Sequence, residues 1–171
     1  GVVGVIGVEQ LDQPGKVPGF EQLFIDVAAR SRDDCPVKVG ETAGFLQPFV
    51  DLGTRVVAKA LDDRAGVAVL IETLRAISQT EGGAPHELYF VFSVQEEVGV
   101  RGATVAAYEI DPDLGLSVDV TSTGDTPRGR RTDVALGKGP AILVRDSGML
   151  ADPRVVNWLR QAAEGSGLPH Q

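Results

Sequence analysis

Four carboxylates stand where an α/β enzyme keeps its chemistry. Glu96 and Glu97 end the apolar run 88–94, Asp62 sits where residues 55–61 give way to a helical pattern, and Asp119 lies within the apolar run 114–121. With 24 acidic residues in 171, about three adjacent acid pairs are expected by chance, so the pair itself says little. Its position says more. The end of a buried strand holds side chains rigidly at a crevice, and consecutive residues on extended backbone point in opposite directions, so Glu96 and Glu97 can take different roles. An acid inside an apolar run, such as Asp119, has to be paired, hydrogen-bonded or metal-bound, because burying a bare charge costs several kcal/mol. If the three junctions converge, so many negative charges stay ionised only with cations among them, and hard or borderline divalent ions suit carboxylates. Two such ions about 3.5–4 Å apart need a bridge, which a carboxylate provides with one oxygen per ion. Two divalent ions balance three ligating carboxylates and a hydroxide, leaving one glutamate as a general base.

The elements that must position these acids are those of an α/β protein. Residues 55–61 read as a short strand; after it Val67, Leu70, Ile71, Leu74 and Ile77 recur at three- and four-residue spacing, one apolar face of a helix. Asp62 and Asp63 stand at the start of that helix. Either suits an N-cap beside the positive end of the helix, and the other is then available to bridge cations. The run 88–94 reads as a buried strand, 101–108 as a helix stopped near Asp111-Pro112-Asp113, 114–121 as a second buried strand, and 141–144 as a third. Gly137-Lys138-Gly139-Pro140 reads as a tight loop on the rim of the site, since a phosphate loop needs longer glycine framing and a helix directly after it. A last helix starts with Asp152 as cap and Pro153 in its first turn, carries Val155, Val156, Leu159 and Ala163 as its stripe, and ends at Gly165. Residues 1–52 differ in character. They are rich in glycine and proline, with β-like runs at 2–8, 22–27 and 45–50, turns at Gln13-Pro14-Gly15 and Pro18-Gly19, and a capped helical turn at Ser31-Arg32-Asp33-Asp34.

Composition narrows the function classes. A chain of 171 residues with 43% hydrophobic content is ordinary for a globular protein with one good core. A formal charge of −8 speaks against nucleic-acid binding; Arg128, Arg130 and Arg131 form the sole basic cluster. Cys35 has no partner for an internal disulfide, which suits a reducing, cytoplasmic setting. No apolar run approaches the roughly 18 residues that span a bilayer, so no membrane partner is expected. The chain opens Gly1-Val2-Val3-Gly4-Val5-Ile6-Gly7, which resembles neither a signal peptide nor a natural start.

Several segments, in order, carry a family resemblance: Ala60-Leu61-Asp62-Asp63-Arg64-Ala65-Gly66; Val94-Gln95-Glu96-Glu97-Val98-Gly99-Val100-Arg101-Gly102-Ala103; Ser117-Val118-Asp119-Val120-Thr121 with Gly124-Asp125-Thr126-Pro127; and Leu136-Gly137-Lys138-Gly139-Pro140-Ala141-Ile142. Together they resemble the M42 metallo-aminopeptidases, the glutamyl and tetrahedral aminopeptidase relatives once also labelled endoglucanases. The resemblance implies a zinc-peptidase-like α/β catalytic domain, a mixed sheet flanked by helices, over residues 53–171. Residues 1–52 are then part of a small β-rich domain inserted into it that helps build homo-oligomers such as a dodecamer. It implies two divalent ions, zinc or cobalt, with Asp62 bridging, Glu97 on one ion, Asp119 on the other and Glu96 as the general base in hydrolysis of N-terminal residues from peptides. The family also uses two histidines in motifs that neither His86 nor His170 matches. The chain is therefore expected to be the middle of a longer protein with both histidine-bearing ends of the site outside it. Alternatives are an inactive fragment or assembly subunit, or a dinuclear hydrolase acting on another substrate, a deacylase or a glycan-directed enzyme.

Overall fold

The computed structural model describes residues 1–8, 17–125, 127–128 and 132–171. The chain divides into two units, Gly1–Pro48 and Phe49–Gln171. Val50–Asp51 pairs forward with Val56–Val57 and so goes with the second unit.

In the first unit, β1 (Val5–Val8) and β2 (Leu23–Asp26) form an antiparallel pair in the register Val5↔Asp26, Ile6↔Ile25, Gly7↔Phe24 and Val8↔Leu23. The Phe24 ring lies across the ladder against Gly7, where a Cβ would make it turn aside. A single 3₁₀ turn, Phe20–Gln22, precedes β2, with the Gly19 amide donating to the Gln22 side chain. The expected helical turn at residues 31–34 does not form. The Asp34 carboxylate instead reaches back to accept from the amides of Arg30 and Ser31 and from the Ser31 hydroxyl, closing a polar loop before Pro36. The turn expected at Gln13-Pro14-Gly15 lies outside the described residues.

The second unit opens with the antiparallel hairpin of β3 (Val50–Asp51) and β4 (Val56–Val57) and carries α1 (Leu61–Ser78), α2 (Arg101–Ile110) and α3 (Pro153–Gly165). All three helices fall where apolar periodicity put them. α2 ends at Asp111, which takes a left-handed conformation (φ 49°) and donates its amide to the Ala107 carbonyl, ahead of Pro112. α3 begins as expected: the Asp152 carboxylate accepts from the Arg154 amide, and Pro153 occupies the first turn. Its stripe of Val155, Val156, Leu159 and Ala163 is the half-buried side of that helix.

The expected strands at 88–94 and 114–121 need correction. Neither has a hydrogen-bonded ladder among the described residues, and both runs are largely exposed instead of buried. A strand exists through its neighbour's N–H and C=O groups, so an apolar run is not one until a second segment lies alongside. Residues 141–144 come closer. Ile142 donates to the Gln171 carbonyl, the Gln171 amide donates to Pro140, and an isolated antiparallel bridge joins Arg145 to Leu150. Among the described residues Gly66 alone is fully buried. No helix of the described residues is long and apolar enough to cross a membrane.

The α3 cap has a pH signature. The Arg154 side chain, then its backbone amide, lower the Asp152 carboxyl to about 2. A pKa depressed on folding means that the cap contributes fully above the ordinary carboxylate range and is lost as pH falls through about 2. We expect the amide resonance of Arg154 to titrate near that pH and the first turn of α3 to fray below it, while Asp152→Ala frays it at neutral pH. An Arg154 amide insensitive to pH from 5 to 1.5 would refute the cap; the pH limits here are about those bracketing a free and a paired aspartate.

Candidate metal-binding site

Each acid-bearing corner is built by its backbone. Ahead of α1, Ala60 takes a left-handed conformation (φ 60°), and Asp62 (φ −86°, ψ 105°) and Asp63 (φ −115°, ψ 47°) stand outside helical geometry. The peptide bond between Asp62 and Asp63 is cis. The regular helix starts after this kink. There the Asp63 carboxylate accepts from the Gly66 amide at 2.9 Å, the geometry of an N-cap residue bonding three residues ahead. Gly66 is buried directly beneath, and a Cβ there would strike the Asp63 carboxylate oxygens. The ambiguity between the two aspartates is thereby divided: Asp63 caps, whereas Asp62 is exposed and accepts no hydrogen bond from the described residues.

The Glu96–Glu97 corner is a closed turn. Gln95 (φ 57°) and Val100 (φ 56°) are both left-handed and flank it, with Gly99 at φ 113°. Such a conformation is a genuine outlier for a β-branched residue like Val100, costing on the order of 1–3 kcal/mol, and it persists only where surrounding bonds over-determine it. Those bonds are present. The amides of Gly99 and Val100 donate to the Glu96 carbonyl, that of Arg101 to Gln95, and that of Gly102 to Val94. The first amides of α2, which a helix leaves orphaned, are thus spent on the carbonyls of the run that precedes it. The approach is close enough that a Cβ on Gly102 would lie 2.5 Å from the Val94 carbonyl oxygen. Glu96 and Glu97 are exposed, and their carboxylates accept no hydrogen bond from the described residues. Asp119 is exposed too, contrary to the burial expected of it, and one of its oxygens accepts from the Val120 amide at 2.7 Å.

Among the described residues no three His, Cys, Asp or Glu side chains are grouped so as to hold a metal ion, so Asp62, Glu97 and Asp119 are not gathered into one cluster. His86 lies in an exposed bend before residue 88, and His170 approaches the Leu168 carbonyl at 3.4 Å. The donors present are hard carboxylate oxygens, suited to divalent ions. Shared as the resemblance implies, they give each ion two ligands with Asp62 common to both, fewer than the three protein ligands usual for a catalytic zinc. They fit as part of a ligand set.

Residues 1–171, the whole chain, match the M42 glutamyl aminopeptidase family. The chain belongs to the M42 family. It is 40% identical over its full length to a protein of Acetivibrio thermocellus and 34% identical to the lysyl aminopeptidase of Pyrococcus furiosus, covering 51% and 49% of those chains. It superposes on the crystal structure of a TET aminopeptidase from a marine sediment thaumarchaeote with a TM-score of 0.89 at 31% identity, over 99% of this chain and 51% of that one. The fold of this M42 chain is therefore the α/β fold of that aminopeptidase, and the chain spans about half the length of the curated relatives it matches. M42 is a metallopeptidase family, which implies a divalent metal.

Sequence reasoning passed over two polar anchors of this M42 chain. Arg55 pairs with Asp125 at 3.3 Å. The Gln171 side chain donates to the carbonyls of Ala135 (3.0 Å) and Gly139 (2.9 Å) and accepts from the Ala135 amide (3.1 Å). No local pattern signals either, since each joins segments far apart in the chain.

Two substitutions test the corners. Asp63→Ala is expected to cost about 1 kcal/mol, with Asp63→Asn or Asp63→Ser nearly neutral, as the cap requires only an acceptor oxygen. Gly102→Ala is expected to cost about 1–3 kcal/mol by forcing the α2 start away from Val94. Denaturant unfolding measures both, and equal losses in Asp63→Ala and Asp63→Asn would contradict the cap.

Proposed function

We propose that this chain supplies part of the active site of a dinuclear, metal-dependent aminopeptidase that removes N-terminal residues from peptides. One observation carries the reading: at each of two backbone-built corners a carboxylate has no partner among the described residues, Asp62 beside a neighbour engaged as a cap and the Glu96–Glu97 pair on a closed turn, in a chain that matches the family from end to end. In this reading Asp62 bridges two ions, zinc or cobalt, Glu97 binds one and Asp119 the other. Bound there, the ions supply Lewis acidity that lowers the pKa of water and polarises the scissile carbonyl. Glu96, the carboxylate not needed as a ligand, takes the proton of the attacking water on a side-chain oxygen and returns it to the leaving amine.

The same reading extends to the rest of the chain. Residues 1–52 belong to the β-rich inserted domain and 53–171 to the catalytic domain. The exposed apolar hairpin of β1 and β2, with Val5 73% and Ile6 55% accessible, suits a surface that packs against other copies in a homo-oligomer. We place the enzyme in the cytoplasm, a setting that suits the lone Cys35 of this chain.

In the enzyme that carries this chain, Glu96→Gln should retain its metal and lose turnover by at least about 100-fold, while Asp62→Ala should lose metal. Metal content by mass spectrometry and release of free amino acids from short peptides read the two effects separately. Parent-like turnover in Glu96→Gln would overturn the assignment of the base, and activity that survives EDTA would overturn the metal reading.

A further inference from the structure

The Arg55–Asp125 ion pair, 70 positions apart in sequence, differs in reach from the other three ion pairs of the described residues, Glu72–Arg75, Asp152–Arg154 and Arg160–Glu164, each of which lies within one helix or its cap. Arg55 is set by the β3–β4 hairpin. Its carbonyl accepts from the Leu52 amide at 2.8 Å, and the turn is completed by the Gly53 amide on the Asp51 carboxylate. From there the chain runs through β4 into Asp62. Asp125 lies on the loop that follows Asp119, and that loop is fastened along its length: the Gly124 amide donates to Val134, Ala135 exchanges hydrogen bonds with the Gln171 side chain, and Gln171 also holds Gly139 and Pro140. The Thr123 hydroxyl, with backbone amides and the Arg55 charge, holds the Asp125 carboxyl below its ordinary range, so it is ionised throughout the neutral region.

We propose that Arg55 and Asp125 form a latch that ties the segment leading into Asp62 to the loop following Asp119, and so positions these two carboxylates relative to one another. The proposal rests on the reading of Asp62 and Asp119 as metal ligands and gives the pair a positioning role toward them. Both partners are substantially exposed, Arg55 at 53% and Asp125 at 29%, and an ion pair in such a setting contributes little to global stability. What it can set is a distance. Two carboxylates sharing a pair of ions about 3.5–4 Å apart tolerate little displacement, and this pair is a direct side-chain link between the segments that carry them.

The test compares Arg55→Ala, Asp125→Asn and the charge-exchanged double variant Arg55→Asp/Asp125→Arg, with Asp62→Ala and Asp119→Ala alongside, in the enzyme that carries this chain. Metal-free protein is titrated with cobalt(II) and followed by its visible spectrum, and hydrogen exchange of residues 55–62 and 119–125 is measured in the metal-free state. Each single latch variant is expected to weaken cobalt binding by about tenfold or more, the range usual for residues that orient ligands without touching the metal. Exchange should quicken across both segments with the melting temperature nearly unchanged, and the double variant should recover most of the lost affinity. Parent-like cobalt binding in Arg55→Ala and Asp125→Asn, where Asp62→Ala has lost it, overturns the latch alone. Parent-like binding in Asp62→Ala and Asp119→Ala overturns the metal reading beneath it. A double variant no better than the two single losses combined also overturns the latch.

Discussion

The hydrogen bond from the Gly66 amide to the Asp63 carboxylate distinguishes two adjacent acids: Asp63 is engaged, and Asp62 has no partner among the described residues. A helix start demands an acceptor for its orphaned amides, and one aspartate of the pair must meet that demand. Because Gly66 is buried and has no Cβ, the Asp63 side chain can fold down over it; any larger residue there would occupy the space that the carboxylate fills. Asp62 stands outside helical geometry just before this cap, with its carboxylate exposed and without a partner among the described residues. Two adjacent residues of the same type in the Leu-Asp-Asp-Arg segment thus have different surroundings, one engaged as a cap and one not.

The second constraint is the apolar surface. Runs such as 88–94 and 114–121 carry side chains that water disfavours and backbone groups that need partners, yet among the described residues they have neither a ladder nor a covering layer. The solved aminopeptidase that shares this fold is a longer chain, of which the match covers 51%. Such a run becomes a strand only where a second segment pairs with its backbone. Under the proposed reading the acids would be in a similar position: two carboxylates per ion would be fewer than the three protein ligands usual for a catalytic zinc.

What was legible in the sequence follows from how local each feature is. The three helices were readable because their signals lie within them: the spacing of Val67, Leu70, Ile71 and Leu74, the break at Asp111-Pro112, and the Asp152-Pro153 start. The strands were not. Apolar character at 88–94 and 114–121 reports what a segment would do beside a neighbour, and the neighbour is a non-local fact. Burial of Asp119 failed as an expectation for the same reason. Choosing between Asp62 and Asp63 needed backbone dihedrals that residue types do not carry. The family motifs marked both corners, but nothing near Gln171 hinted that its side chain would clamp a loop more than thirty positions upstream, as its separations of 36 and 32 from Ala135 and Gly139 require.

The acids are held in place by means that owe nothing to a ligand. Left-handed conformations at Ala60, Gln95 and Val100 are unfavourable for residues with side chains, and Val100 most of all. They are sustained by main-chain hydrogen bonds: Arg64 to Ala60 at one corner, and Gly99, Val100, Arg101 and Gly102 to the preceding carbonyls at the other. Side-chain contacts of the acids play no part in this, since Asp62, Glu96 and Glu97 have no partner among the described residues. The backbone at each corner is therefore bent without help from the side chains of the acids it carries. The free energy stored in three disfavoured residues is offset by local bonds at each corner, and the carboxylates are left with all of their acceptor capacity.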